Sequence, residues 1–169
     1  MFSVLGKSFK TGCLTERLPV RDKTTVQLET DCRKEIARIF GRSLAIRMVD
    51  AGSCNGCELE MHAVNNGFYD IERFGIHFVA SPRHADLLLV TGPVSRHMQA
   101  ALKRTYDATP DPKIVIAMGD CGADGGEFGV SYASCGAVAN VIPVDAVIRG
   151  CPPTPLQLLL GILEVLQRY

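Results

Sequence analysis

The chain has 169 residues, 47% of them hydrophobic and 21% charged, enough to bury one core in a single globular domain. Its 18 Lys and Arg balance 18 Asp and Glu, and no basic stripe is interleaved with aromatics, which argues against a nucleic-acid partner. No apolar stretch reaches the ~18 residues of a membrane span, since LQLLLGILEVLQ is broken by Gln157 and Glu164, and MFSVLGKSFKTG has no apolar run long enough for a secretory signal.

Residues 1–30 hold Pro19 and many polar side chains without a clear period, and read as an N-terminal arm ahead of an α/β domain over 31–169. Asp31 is placed to cap a short helix, CRKEIARIF, with Ile36, Ile39 and Phe40 on one face and Arg33, Lys34 and Arg38 on the other. From Ser43 the pattern becomes α/β. SLAIRMVDAG reads as a first buried strand, ELEMHAVNN as a helix ended near Gly67, and FGIHFVA and ADLLLVTG as the second and third strands. A helix over VSRHMQAALKRTYDA is stopped by Pro110 and Pro112, and KIVIAMGD is the fourth strand. Thr154 and Gln157 have capping-box spacing, with Pro155 at the first position of a C-terminal helix. Leu156, Leu159, Leu160, Leu163 and Leu166 make one face of that helix, and Leu158, Ile162 and Val165 a second. This predicts burial nearly all round, against the sheet or a partner subunit. Near-continuous apolar strands alternating with helices predict a parallel sheet covered on both faces, with ligands at the carboxyl ends of its strands.

Three of the cysteines fall just after predicted strands. The chain carries seven, an odd number, and no export signal is read, so metal or cluster ligation is expected rather than a disulfide framework. Cys54 and Cys57 form a Cys-x-x-Cys in AGSCNGCELEM, Cys121 follows in MGDCGADGG, and Cys151 stands in RGCPPTPLQ. Thiolates hold both zinc and iron–sulfur clusters. Structural zinc usually draws on two short pairs, whereas here one pair is joined by two single cysteines from distant loops. The spacing favours a 4Fe–4S cubane, with zinc and unligated core cysteines left open. Gly52, Gly56, Gly119, Gly122, Gly125, Gly126 and Gly150 crowd the same loops, where they permit close approach and free N–H groups to donate to a cluster. Pro152 and Pro153 have no N–H and make the Cys151 side stiff and donor-poor.

Other residues compete for roles. Cys135 in SYASCGAV reads as a buried thiol, and Cys13 and Cys32 have weaker claims. Glu58, directly after Cys57, is a candidate proton relay, although a helix N-terminus also favours a carboxylate on its own account. Arg83 and His84 in SPRHAD are candidates for raising a cluster's potential and for coupling protons to electrons, or else form a structural turn. His62, His77 and His97 lack ligand spacing. No Ser-His-Asp, Walker or dinucleotide fingerprint is present, and GDCGADGG lacks the P-loop lysine.

The stretches SCNGCELE, ERFGIHFVASPRHADLLLVTGPV, DPKIVIAMGDCGADGG and IPVDAVIRGCPPTP, between about Leu44 and Leu166, together resemble one family. It is the small electron-transfer subunit of group 4 energy-converting nickel–iron hydrogenases of the formate hydrogenlyase type. These are relatives of the 20-kDa, proximal-cluster subunit of respiratory NADH:quinone oxidoreductase. The resemblance implies a flavodoxin-like fold and one 4Fe–4S cluster on Cys54, Cys57, Cys121 and Cys151. It implies an oxidoreductase complex whose catalytic centre lies on a large subunit of the nickel–iron hydrogenase or 49-kDa NADH dehydrogenase type. A ferredoxin-like iron–sulfur subunit and a membrane arm complete the implied assembly, with this chain peripheral on the cytoplasmic side of the inner membrane. The quinone-reducing relatives typically carry adjacent cysteines at the first ligand position, where this chain has Cys54-Asn-Gly-Cys57. That is the hydrogenase-type form, shared with complexes that use other terminal acceptors, so quinone or sulfur reduction stands as the alternative.

Overall fold

A computed structural model describes residues 23–169. The first helix, α1, spans Lys23–Phe40 and begins eight residues before the expected cap, so Asp31 lies inside it. The reason is a stripe at every fourth position: Leu28, Cys32 and Ile36 are all buried, and the cysteine serves as a core residue. Of the expected arm, residues 1–22 lie outside the described residues, and the remainder is the first part of α1.

The strands are β1 Leu44–Asp50, β2 Ile76–Phe78, β3 Leu87–Thr91, β4 Ile114–Met118 and β5 Ala146–Ile148, in the order β2-β1-β3-β4-β5. Every neighbouring pair is parallel. This order is the flavodoxin-like one, and its switch point lies between β1 and β3. The fifth strand falls in the DAVIRG stretch and adds to the four expected. All five residues of β3 and of β4 are buried, as central strands covered on both faces require.

The alternation along each strand divides two cores. Ile46, Leu87, Leu89, Ile114 and Ile116 face a large core closed by α1, by α2 (Gly56–Val64) and by the C-terminal helix. Val49, Leu88, Val90, Val115 and Ala117 face a smaller one that receives Leu102 of α3 (Gln99–Ala108) together with Cys135 and Val138. The short α4 spans Gly119–Asp124, and α5 spans Pro155–Leu166. The capping box of α5 is complete, with Thr154 accepting from the Gln157 N–H and Gln157 accepting from the Thr154 N–H at 2.8 Å. Burial of α5 is less complete than its composition predicts. Leu158, Leu159, Ile162, Leu163, Val165 and Leu166 are buried, but Leu156 and Leu160 are about half exposed, at 45% and 48%.

The amino ends of the strands are tied by carboxylates. Asp86, just before β3, accepts from the Ala45 N–H at 3.1 Å and from Arg42 at 2.6 Å. Asp145, just before β5, accepts from the Val115 N–H at 2.7 Å and returns its own N–H to the Val115 carbonyl at 2.9 Å. These clamps leave the carboxyl ends as the end where loops diverge.

Candidate metal centre

Register places Asp50, Thr91, Met118 and Ile148 side by side across the carboxyl edge. All four ligand candidates leave the sheet there. After β1, the Asp50 carboxylate accepts from the N–H groups of Gly52 and Ser53, both at 2.8 Å, which turns the chain before Cys54. Asn55 takes a left-handed φ of 72° and leads into α2, whose first turn holds Cys57. Cys121 sits in α4, directly after β4. Cys151 follows β5 by way of Gly150 at φ 138°, where a Cβ would lie 2.6 Å from Pro153 Cα.

The sulfurs converge closely enough to act on one another. The Cys57 thiol is pushed up to about 12, chiefly by burial, then by the Glu58 carboxylate and by Cys54, Cys121 and Cys151. The Cys121 thiol is also raised, by burial first and then by Cys151 and Cys54, with Asp120 and Asp124 behind them. Four thiolates in one place repel, so the ionised set requires a polycationic centre between them. Among the described residues, no three His, Cys, Asp or Glu side chains come together as a single-ion site. A lone zinc would draw its four sulfurs to within about 4 Å of each other, given Zn–S bonds of about 2.3 Å. An iron–sulfur cluster takes the same kind of thiolate ligands.

Space as well as chemistry fits. A Cβ at Gly119, where φ is 82°, would lie 2.8 Å from Cys57 Sγ; one at Gly126 would lie 2.8 Å from Cys121 Sγ. These glycines clear room at the sulfurs. Their N–H groups are less free than the sequence suggests. Gly52 donates to Asp50, Gly125 to the Cys121 carbonyl, Gly126 to Asp124 and Gly150 to Asp120. Cys54 and Cys151 are exposed, and Cys57 and Cys121 half-buried, so one side of the site is open.

Two contacts fix the loops against each other. The Asp120 N–H donates to the Gly150 carbonyl at 2.9 Å, and the Gly150 N–H returns to the Asp120 carboxylate at 3.2 Å. Arg149 adds an ion pair to Asp124 at 2.6 Å, which holds that exposed carboxyl below its ordinary range. The Cys121 and Cys151 loops are thereby joined. Glu58 is buried at 5% exposure, and its two carboxylate oxygens accept from the Ser53 and Thr91 hydroxyls. Ser53 and Thr91 carry no motif of their own, and the Asp120–Gly150 link spans too much sequence to be read from spacing.

Arg83 and His84 stand elsewhere. They form an exposed turn over Pro82–His84, capped by Ser81, which enters β3 at its amino end. The run from Leu87 to Thr91, about 13 Å at 3.3 Å per residue, separates that end from the cysteine edge. Cys135 is buried in the smaller core, with its N–H donating to the Val94 carbonyl at 2.7 Å. Cys32 belongs to the larger core, and Cys13 lies outside the described residues.

Residues 54–165 match the model of the NADH ubiquinone oxidoreductase 20 kDa subunit family. The chain belongs to that family. It is 45% identical over 134 residues to the probable membrane-bound hydrogenase subunit MbhJ of Pyrococcus furiosus, covering 79% of this chain and 80% of that one. It is 44% identical over 140 residues to formate hydrogenlyase subunit 7 of Escherichia coli, covering 83% of this chain but 53% of the longer relative. Among solved structures, a chain of the membrane-bound sulfane sulfur reductase, an archaeal respiratory membrane complex, superposes with a TM-score of 0.67 at 36% identity. That match covers 80% of this chain and 74% of the other. Among the described residues no helix is long and apolar enough to cross a membrane.

Proposed function

We propose that this chain is the electron-relay subunit of a membrane-bound hydrogenase complex of the formate hydrogenlyase type, with one 4Fe–4S cluster held by Cys54, Cys57, Cys121 and Cys151. The observation that carries this reading is the convergence of four thiols from three strand-to-helix loops at one sheet edge, where burial and the neighbouring cysteines push the Cys57 and Cys121 thiols up. Similarity to a hydrogenase subunit and to a formate hydrogenlyase subunit supports the choice of complex. The cluster supplies one-electron transfer when bound, and bond-breaking chemistry belongs to a large catalytic subunit.

The chain's own residues do three things in this reading. The cysteines bind as thiolates, and the Asp120–Gly150 pair holds two of their loops at fixed separation. Glu58, oriented by Ser53 and Thr91, places a carboxylate beside Cys57 and serves as the proton relay of this reading. The open side bearing Cys54 and Cys151 is covered by neighbouring subunits, a large one and a ferredoxin-like one, on a membrane arm. Arg83 and His84, at the far end of β3, act at most through the field of the whole domain.

The test is electron paramagnetic resonance of the anaerobically purified, reduced complex. A rhombic low-temperature signal that disappears in Cys54→Ser and Cys151→Ser is expected; a signal unchanged by either substitution sinks the proposal. A second reading, with a sulfur compound as terminal acceptor, is favoured by the likeness to the sulfane sulfur reductase chain. Nickel analysis decides: stoichiometric nickel with hydrogen evolution supports the first reading, and a nickel-free complex that reduces polysulfide supports the second.

A further inference from the structure

Two hydroxyls from separate segments hold the carboxylate that follows Cys57. Glu58 lies in the first turn of α2 and is only 5% exposed. Among the described residues its side-chain partners are Ser53 and Thr91, and no cation pairs with it. What else these hydroxyls meet fixes the direction of both bonds. Ser53 Oγ accepts the Asn55 N–H at 3.0 Å, which leaves its own proton for Glu58. Thr91 Oγ1 faces two acceptors, the Val49 carbonyl at 3.4 Å and the Glu58 carboxylate, and gives its single proton to the nearer, charged one. Thr91 reaches Glu58 across 33 positions because it ends β3, level with Asp50 and Met118. Alternation puts it on the strand face of Leu87 and Leu89, the face that α2 covers.

We propose that Thr91 is a positioning residue that holds the Glu58 carboxylate against Cys57 and thereby keeps the reduction potential of the bound cluster low. The inference deepens the electron-relay reading and rests on it for the cluster. A cation in place of the hydroxyls would cancel the charge that the neighbouring sulfur feels. Neutral hydroxyls satisfy the oxygens and leave the negative charge in place. Negative charge beside a cluster disfavours the reduced form, which carries one electron more, and so lowers the potential. Packing alone does not call for a hydroxyl here. The rest of β3, Leu87 to Val90, is apolar, and a valine at the next position would continue the run with nearly the same shape. The buried hydroxyl is accounted for by the acceptor opposite it. The stiff β-branched side chain of Thr91 keeps that hydroxyl in one direction. Ser53, on the loop that Asp50 turns, completes the grip on the other oxygen.

The experiment is a redox titration of the anaerobically purified complex, read by the reduced-cluster signal, with thermal unfolding recorded alongside. Thr91→Val keeps the shape and removes the hydroxyl. One Glu58 oxygen is then buried without a donor, so the carboxylate turns outward or is neutralised. The reduced-to-oxidised ratio at a fixed poise is expected to rise about threefold or more. Glu58→Gln should raise it about tenfold, a shift of about 59 mV for one electron. Thr91→Ser keeps the hydroxyl and loses a buried methyl, so it should lower the unfolding temperature and leave the potential at the wild-type value. In the Glu58→Gln background, Thr91→Val should move the potential no further. The idea is overturned if Thr91→Val leaves the potential unchanged, if Thr91→Ser shifts it equally, or if the shift persists with Glu58→Gln. Should Thr91→Val fail to assemble, Thr91→Ala removes the same hydroxyl and must raise the ratio in the same direction. A wild-type complex without the cluster signal defeats the relay reading, whereas a signal whose potential ignores Thr91 defeats this inference alone.

Discussion

The two ends of the sheet are built from the same strands and finished in opposite ways. At the amino end, Asp86 and Asp145 clamp the backbone of neighbouring strands, Arg42 pairs with Asp86, and Lys113 lies over the Tyr106 ring. Charge there is answered by the chain itself. At the carboxyl end, carboxylates shape the loops, and burial, those carboxylates and the neighbouring cysteines push the Cys57 and Cys121 thiols up. A parallel sheet gathers the starts of helices at this end, and here it gathers thiols with them. One end is closed by its own carboxylates and cations, whereas the other leaves Cys54 and Cys151 exposed.

Breaking that contrast at the open end should have the largest effect. Gly119→Ala places a methyl 2.8 Å from Cys57 Sγ at a φ of 82°. The conformational cost alone is about 1–2 kcal/mol. The blocked sulfur should add a loss of most bound iron, read by iron analysis and by the reduced-cluster signal. Full iron occupancy in this variant would show that the site has more slack than these distances allow.

The closed end should respond in stability only. Asp86→Ala leaves the Ala45 N–H without its acceptor and Arg42 without its partner, and should cost about 1–3 kcal/mol in urea unfolding. The cluster signal per folded molecule should not change, because Asp86 stands at the opposite end of β3 from Thr91. A matching loss of signal would mean that the two ends are coupled.

The smallest effect belongs to the core. Burial pushes the Cys32 thiol up to about 12 from an ordinary 9.0, with Asp31 adding to the shift. The folded chain therefore keeps this proton where the unfolded chain has released it. The contribution is intact below pH 9 and is lost as pH rises towards about 12. Wild type should lose stability faster than Cys32→Ala across that window, and parallel slopes would place the alkaline sensitivity elsewhere.

Much of this was legible in the sequence, and the exceptions have physical causes. The long apolar runs of β3 and β4 announce themselves because both of their faces are buried. β5 does not: it has three residues, of which only Ile148 is buried. α1 starts earlier than its charge pattern suggests because Cys32 acts as an apolar side chain and completes the Leu28–Ile36 stripe. At the site, the cysteines could be read from their places after strands. The Ser53 and Thr91 bonds to Glu58 and the Asp120–Gly150 pair could not, since they depend on which loops the sheet order brings together. The outward Leu156 and Leu160 show the limit of composition: an apolar helix need not bury every face within its own chain.

One contact bears on how such a protein is made. Arg38 of α1 reaches the Leu166 carbonyl of α5 across 128 positions of sequence, and α5 follows directly on the Cys151 loop. The large core therefore cannot close until α5 has left the ribosome. The final sulfur becomes available at almost the same moment. Synthesis thus orders assembly: the large core and the completed set of four thiols arrive together.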